Sequence, residues 1–361
     1  MDPIDPIYQE LAEKMGSPDS KILPRVIQRL ATLEQAKILR EMPAPPEEIA
    51  KKLGLSLETV ERLMQGPFEN GVILHGKKGW RMPANWFFLH DMAGSSESKY
   101  DDDEFFDLMM ALHDENIERL VKRLKEAKEP TLKQVQRVVP DWKAIQGIPG
   151  ILPCENTLEA FKDVSPIVSI NCACKRLYRT RKCKDDIPLR VCFTAGKSGK
   201  VALERGLGRE INHDEYLEIQ ERATEYGLVH LYPNNSNMPD GLCNCHHCCC
   251  GQFLISAHTK PNFNLLSIAK SRFIAEVDQK KCKGCRKCAD KRCPVGAVQM
   301  KFSPEYGEDR ATIDTEECIG CGLCVLTCPA GARRMKLVRP PDHIPEPRAF
   351  SLSEIVADLL S

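Results

Sequence analysis

Eight of the chain's 18 cysteines fall in one stretch, and their spacing constrains the fold more than anything else in the 361 residues. The stretch reads Cys282-Lys283-Gly284-Cys285-Arg286-Lys287-Cys288, then Cys293-Pro294. The pattern recurs as Cys318-Ile319-Gly320-Cys321-Gly322-Leu323-Cys324, then Cys328-Pro329. Three cysteines at two-residue gaps put three thiolates within reach of three corners of one iron–sulfur cube. A fourth, followed by proline, turns away to the other cube. The flanks repeat as well: residues 273–277 and 311–313 precede the two loops, and residues 298–300 and 334–336 follow them. Short strands around cysteine loops suit a domain too small for a real core, where metal supplies folding energy. Two four-cysteine zinc sites are the rival reading; the crossed spacing and the Cys-Pro pairs argue against it.

All the cysteines lie at or after Cys154, so the N-terminal part is a different kind of domain. A formal net charge of zero gives no global field to favour nucleic acid or membrane. No apolar run reaches membrane-spanning length. The start, Met1-Asp2-Pro3-Ile4-Asp5-Pro6, is acidic and lacks a signal-peptide pattern. Such thiol clusters need a reducing compartment, so disulfides are not expected. The expected location is the cytoplasm of an anaerobic or microaerobic prokaryote, without membrane insertion.

Residues 22–39 carry apolar side chains at helical spacing. Pro45-Pro46-Glu47-Glu48 opens a second helix ending near Gly54, and Ser56 caps a third over 57–64. Residues 71–81 read as a hairpin. The set, over about residues 20–82, resembles a winged helix-turn-helix. Its third helix carries Glu58, Glu61 and Glu69 against Arg62 alone, where a DNA reader needs bases for phosphates. A protein-interaction role is therefore favoured over DNA. Trp86-Phe87-Phe88-Leu89 reads as core. Residues 100–124 form a long amphipathic helix in which the lone His113 is structural. A proline-punctuated connection follows, with Cys154 as a non-ligand.

The middle of the chain holds nine cysteines in two groups: Cys172, Cys174, Cys183 and Cys192, then Cys243, Cys245, Cys248, Cys249 and Cys250. In a cytosolic protein this composition means metal. Each Cys-x-Cys places two thiolates on one side of an extended strand. His230, His246 and His247 are candidate nitrogen ligands. An iron–sulfur cluster, a structural zinc and a metal-free reactive thiol set stand as three readings, favoured in that order. Between the two groups, Asn212 and Glu215 form a capping box for a helix that stops at Gly227.

Residues 272–338 resemble the two-cluster bacterial ferredoxins. That resemblance implies two [4Fe-4S] clusters. Cys282, Cys285, Cys288 and Cys328 would hold cluster I, and Cys318, Cys321, Cys324 and Cys293 cluster II. The first loop departs by having four residues, 289–292, before its last cysteine where three are usual. Nearly the whole chain is similar to a recurring group of prokaryotic 4Fe-4S binding proteins, often built with an N-terminal winged helix. The group implies electron transfer and fixes no partner.

The expected fold class is α+β and multidomain. An N-terminal arm (1–20) precedes a winged-helix-like domain (21–82) and a helical segment with a proline-rich linker (83–164). A small α/β cysteine-rich metal-binding domain (165–271), a ferredoxin-like dicluster domain (272–338) and a proline-rich spacer with a C-terminal helix (339–361) complete the chain. Three functions are weighed: an electron carrier passing single low-potential electrons to a partner reductase, a redox-sensing DNA-binding regulator, and a reductase with its active site at the middle cysteines. The first is favoured, because no nucleotide loop or nucleophile array is present. Its partners would be redox proteins with acidic docking surfaces, drawn by the basic loop of cluster I. Nucleic acid is not expected as a partner.

Overall fold

The computed structural model describes residues 3–76, 79–96, 102–182, 186–237 and 240–347. Helix α1 (Pro6–Lys14) packs on α2 (Leu23–Leu30) and α3 (Leu33–Arg40). The single helix expected over 22–39 is thus two. Ala31 is extended, and Thr32 with Gln35 forms a capping box that starts the second. Next come α4 (Pro46–Leu53), closed by left-handed Gly54, and α5 (Leu57–Glu69), capped by Ser56 and longer than expected. Strands β1 (Leu74–Gly76) and β2 (Gly79–Arg81) pair as the hairpin. The turn lysines Lys77 and Lys78 lie outside the described residues. Helices α6 (Trp86–Ser95) and α7 (Asp103–Glu126) close the N-terminal core, with α7 lying across α2.

The stretch expected as a connection is extended and also joins a sheet. Strand β3 (Gln136–Val139) and the short α8 (Trp142–Ile145) lead to β4 (Ile167–Ile170), α9 (Ala173–Lys182), β5 (Cys192–Ala195) and α10 (Gly196–Glu204). Then follow β6 (Arg209–Ile211), α11 (His213–Glu225), β7 (Val229–Pro233), β8 (Gly241–Cys245), α12 (Gly251–Phe263) and β9 (Ile268–Ala269). Among the described residues these strands form a seven-stranded sheet, order β6-β4-β5-β8-β7-β3-β9, antiparallel except for β3 with β9.

The cysteine-rich region is fused to the N-terminal helices. Leu177 and Tyr178 of α9 belong to the same buried core as Leu89 of α6 and Met109 and Leu112 of α7. A Cβ at Gly94 would lie 2.8 Å from the Ala173 Cβ, so α6 and α9 touch backbone to backbone. Arg205, buried, donates to the carbonyls of Phe68 (3.0 Å) and Met92 (3.1 Å).

The last unit comprises β10 (Phe273–Val277), α13 (Lys287–Asp290), β11 (Val298–Ser303), β12 (Glu308–Ile313), α14 (Leu323–Leu326) and β13 (Arg333–Leu337). Strand β10 pairs with β13, and β11 with β12. A fully buried ion pair, Arg272 to Glu155 at 2.8 Å, fastens it to the residues before β4. The spacer beyond it is packed: Ile344 is buried, and the Ser236 N–H donates to Pro345 O at 2.9 Å. The helix expected from Ser351 lies outside the described residues. No helix among the described residues is long and apolar enough to cross a membrane. The chain is an α+β, multidomain molecule.

Candidate metal centres

The repeat in the C-terminal cysteine loops is also a repeat in backbone geometry. Gly284 and Gly320 are left-handed (φ 59° and 74°), as are Arg286 and Gly322 (φ 63° and 83°). Each pair leads into a one-turn helix, α13 or α14, that carries the third cysteine. The additional residue of the first loop falls just after α13, so the loop's shape up to Cys288 is kept.

Cys282, Cys288, Cys318 and Cys324 are buried in one core with Ile145, Phe273 and Met335, and Cys293 and Cys328 pack on it. Burial pushes the Cys321 thiol well up, and its neighbours Cys324, Cys318 and Cys293 add to this. Those are the four residues of the second expected set, with Cys293 arriving from the first loop. On the other side, the Ala332 N–H donates to Cys328 Sγ (3.3 Å) and Arg333 Nη2 to Cys288 Sγ (3.0 Å). Adjacent residues thus hold a cysteine from each loop. All eight are free thiols. Soft all-thiolate donors, four of them together at Cys321, fit iron–sulfur chemistry.

The two loops meet the solvent differently. Cys285 is exposed, and so are Lys281, Lys283, Arg286, Lys287 and Lys291 around it. Residues 318–320 and 322–324 are buried. The charge contrast between the loops is softer than the sequence implies. Arg286 pairs with Asp290 (3.0 Å) and Asp309 (3.9 Å), Lys281 lies 3.9 Å from Asp278, and Arg292 donates to Thr224 O (3.4 Å). Meanwhile Arg339 folds back to within electrostatic reach of Cys318.

In the middle region six of the nine cysteines come together. The register of β5 on β8 pairs Phe193 with Leu242 and Thr194 with Gly241, so the next step sets Cys192 opposite Cys243. Cys243 and Cys245 share a face of β8, as alternation requires. Cys250 caps α12 and its Sγ lies 3.1 Å from Cys245 Sγ. Cys174 Sγ accepts the Gly251 N–H at 3.3 Å. The six thiols follow one another in a cyclic order, Cys172–Cys174–Cys250–Cys245–Cys243–Cys192, each within interaction range of the two beside it. Contact with their ring neighbours lowers Cys172, Cys250 and Cys243, the last to about 5, and raises the three between them.

Lys175 is buried against this ring. Burial alone lowers its ammonium, but Cys172, Cys192, Cys245 and Cys249 outweigh that and hold it above its usual range. Its Nζ donates to the carbonyl of Asn244. The Asn244 side chain accepts from His230 Nδ1 through Oδ1 (2.5 Å), and donates through Nδ2 to Val191 O (2.7 Å) and Gln220 Oε1 (2.5 Å). His230 Nε2 faces Thr224 Oγ1 (3.4 Å) and Asp141 Oδ2 (3.6 Å), and the Asp141 N–H donates to Cys321 O (3.2 Å). A buried polar chain therefore runs from the second cysteine loop to the ring.

These contacts correct several expectations. His230 is not a metal ligand here, because both ring nitrogens are engaged. Cys172 and Cys174 do not lie on one strand: α9 begins at Ala173, and the two thiols meet across its first turn. Cys248 and Cys249 are not in the ring; with His246 they form a separate group whose donor atoms lie within 4.8 Å of one another. Cys248 is disulfide-bonded, against the expectation of a fully reduced set, which removes its thiolate as a donor. Cys183 lies outside the described residues. Cys154 is buried apart from the ring. The sequence reading missed Lys175 and Asn244, although each directly adjoins a Cys-x-Cys cysteine.

Residues 281–332 match the family described as 4Fe-4S dicluster domain. A 67-residue stretch, 19% of this chain, is 37% identical to one component of the ion-translocating oxidoreductase complex of Methanosarcina acetivorans, covering 23% of it. Over 83 residues, 19% of this chain, identity is 35% to one component of the ferredoxin:CoB-CoM heterodisulfide reductase of Methanosarcina mazei, of which 10% is covered. The chain thus spans a quarter or less of the length of these relatives. It covers 79% of an uncharacterized ferredoxin of Methanocaldococcus jannaschii, at 39% identity over 64 residues, 18% of this chain. Through its C-terminal domain, the chain belongs to the 4Fe-4S dicluster ferredoxins, iron–sulfur proteins of electron transport.

Proposed function

We propose that the chain passes single low-potential electrons to a partner reductase through two [4Fe-4S] clusters. Cys282, Cys285, Cys288 and Cys328 would hold one, and Cys318, Cys321, Cys324 and Cys293 the other. One observation carries this reading: four thiols drawn from both loops, Cys293 among them, lie together at Cys321. When bound, the clusters supply reversible one-electron chemistry. The protein's part is to bury Cys282, Cys288, Cys318 and Cys324 from water, to place Arg333 on Cys288 Sγ, and to leave Cys285 exposed for a partner. The exposed Lys283, Lys287 and Lys291 suit an acidic docking surface. A third centre, iron–sulfur rather than zinc, is assigned to the middle cysteines.

Residues 21–82 support a winged-helix reading: α3, α4 and α5 are followed by the β1–β2 hairpin. Glu58, Glu61, Gln65 and Glu69 are exposed on α5 beside the one base, Arg62. That face suits a protein partner better than a phosphate backbone.

The test is dithionite reduction of the anaerobically purified full chain, followed by mixing with a low-potential one-electron acceptor and no organic substrate. Reoxidation is expected, with no fewer than the roughly eight irons per chain that two cubanes require. Reoxidation that needs an organic substrate would favour the reductase reading instead.

A further inference from the structure

We infer that Cys172, Cys174, Cys192, Cys243, Cys245 and Cys250 hold one polynuclear iron–sulfur centre, and that Cys248 and Cys249 are not its ligands. The inference rests on the reading of the chain as an iron–sulfur carrier and deepens it by naming the ligands of its third centre.

Three observations carry it. The first is convergence. The six thiols come from a strand pair, from the first turn of α9 and from the start of α12, and they close a ring while staying chemically free. The second is spacing. A single zinc ion, with bonds near 2.3 Å, needs four thiolates each about 3.8 Å from the other three. Among the described residues, only the His246, Cys248 and Cys249 side-chain atoms lie mutually within 4.8 Å, and the Cys248 sulfur is held in a disulfide. Cys245 and Cys250 are 3.1 Å apart, but no three ring sulfurs lie mutually within 4.8 Å. A two-zinc thiolate site fails likewise, since each of its ions needs the same tetrahedron. Several metal atoms bridged by sulfide fit a ring whose alternate members stand apart.

The third observation is the support around the ring. Lys175, 1% exposed, places a positive charge against four cysteines of the region. Asn244, fully buried between Cys243 and Cys245, is held through its side chain by His230, Gln220 and Val191. Such outer partners fix the orientation of ligating residues. The ring is also contiguous with the second cysteine loop. Cys245 and Cys250 lie in one apolar core with Ile319 and Leu323, and Cys243 and Cys321 pack on it.

The experiment measures iron, acid-labile sulfide and zinc in the anaerobically purified full chain and in four variants. Wild type is expected to carry iron and sulfide beyond the roughly eight of two cubanes, and no zinc. Cys174→Ser and Cys243→Ser, one from a helix and one from a strand, should each lose the excess. Both should keep the C-terminal iron, which also reports that the chain has folded. Cys249→Ser should keep the excess. Stoichiometric zinc, no iron beyond two cubanes, or equal loss from Cys249→Ser would each overturn the assignment. Cys318→Ser separates the two readings: if it retains all its iron, the dicluster reading fails, whatever the ring variants show.

Discussion

Arg286 and Gly322 occupy the same place in the two cysteine loops, and both are left-handed. Arg286 is exposed, and its guanidinium reaches Asp290. At Gly322 a Cβ would lie 2.8 Å from the Ala144 Cβ of α8. A left-handed backbone costs a residue with a Cβ about 1–2 kcal/mol, and overpacking adds about 1–3 kcal/mol. Gly322→Ala is therefore expected to lose about 2–5 kcal/mol of stability, with iron lost from the C-terminal domain. Arg286→Gly should be nearly neutral, relief of strain being offset by chain entropy. Anaerobic unfolding with iron counts on both variants checks the contrast. Lys175 invites a second test at this scale. A fixed positive charge beside a redox centre favours its reduced, more negative state. Lys175→Met should lower the potential of the middle centre by on the order of 100 mV, the effect of a unit charge several ångströms away at an effective dielectric constant near 20. An EPR-monitored redox titration of wild type and variant reads it directly.

At the scale of elements, what was legible in the sequence was what local chemistry decides. Ser56, Asn212 and Gly54 stop or start helices where expected, and the alternation Cys243-x-Cys245 does sit on a strand. The break after Leu30 was visible as Thr32-x-x-Gln35 and was outweighed by the apolar period around it. Cys172-x-Cys174 misled because the same spacing serves two backbones. Residues 173–179 include Ala173, Lys175, Arg176, Leu177 and Arg179, all good helix formers, and no β-branched side chain, so the second cysteine enters α9. Strand β3 was legible only as extended. Its partners β7 and β9 lie far along the chain, and nothing local announces them. The same holds for the ring, whose closure depends on strand register and on the β8–α12 turn. The Arg272–Glu155 pair is another product of distance, tying the turn at 153–155 to β10. Removing one partner leaves a buried charge unpaired, at a cost of about 3–5 kcal/mol. Glu155→Leu should show that loss in chemical unfolding, and Glu155→Leu with Arg272→Met should recover most of it.

The whole molecule has a wired side and an open side. Cys321 packs on the apolar core shared with the ring, and its loop is buried. The opposite loop presents Cys285 and a set of bases to solvent. Among the described residues Lys283, Lys287 and Lys291 have no ion pair, whereas Arg286 is neutralised by Asp290 and Asp309. These three lysines, rather than the full basic run, would be the docking charge for the acidic partner proposed above. They also outweigh the single Arg339 near Cys318, so the centre at Cys282, Cys285 and Cys288 is expected to have the higher potential of the two. Lys283→Glu with Lys287→Glu and Lys291→Glu should lower that potential and leave the other nearly unchanged. With an acidic flavodoxin as a probe acceptor, stopped-flow association should slow by about tenfold or more at low salt. The difference should close near 1 M salt, where screening acts within about 3 Å. Lys37→Glu with Lys51→Glu, exposed on the N-terminal helices, serves as the control of similar sign. Equal slowing in the control would mean that bulk charge steers the encounter. An unmoved potential in the triple variant would place the docking lysines away from the centre they are expected to serve.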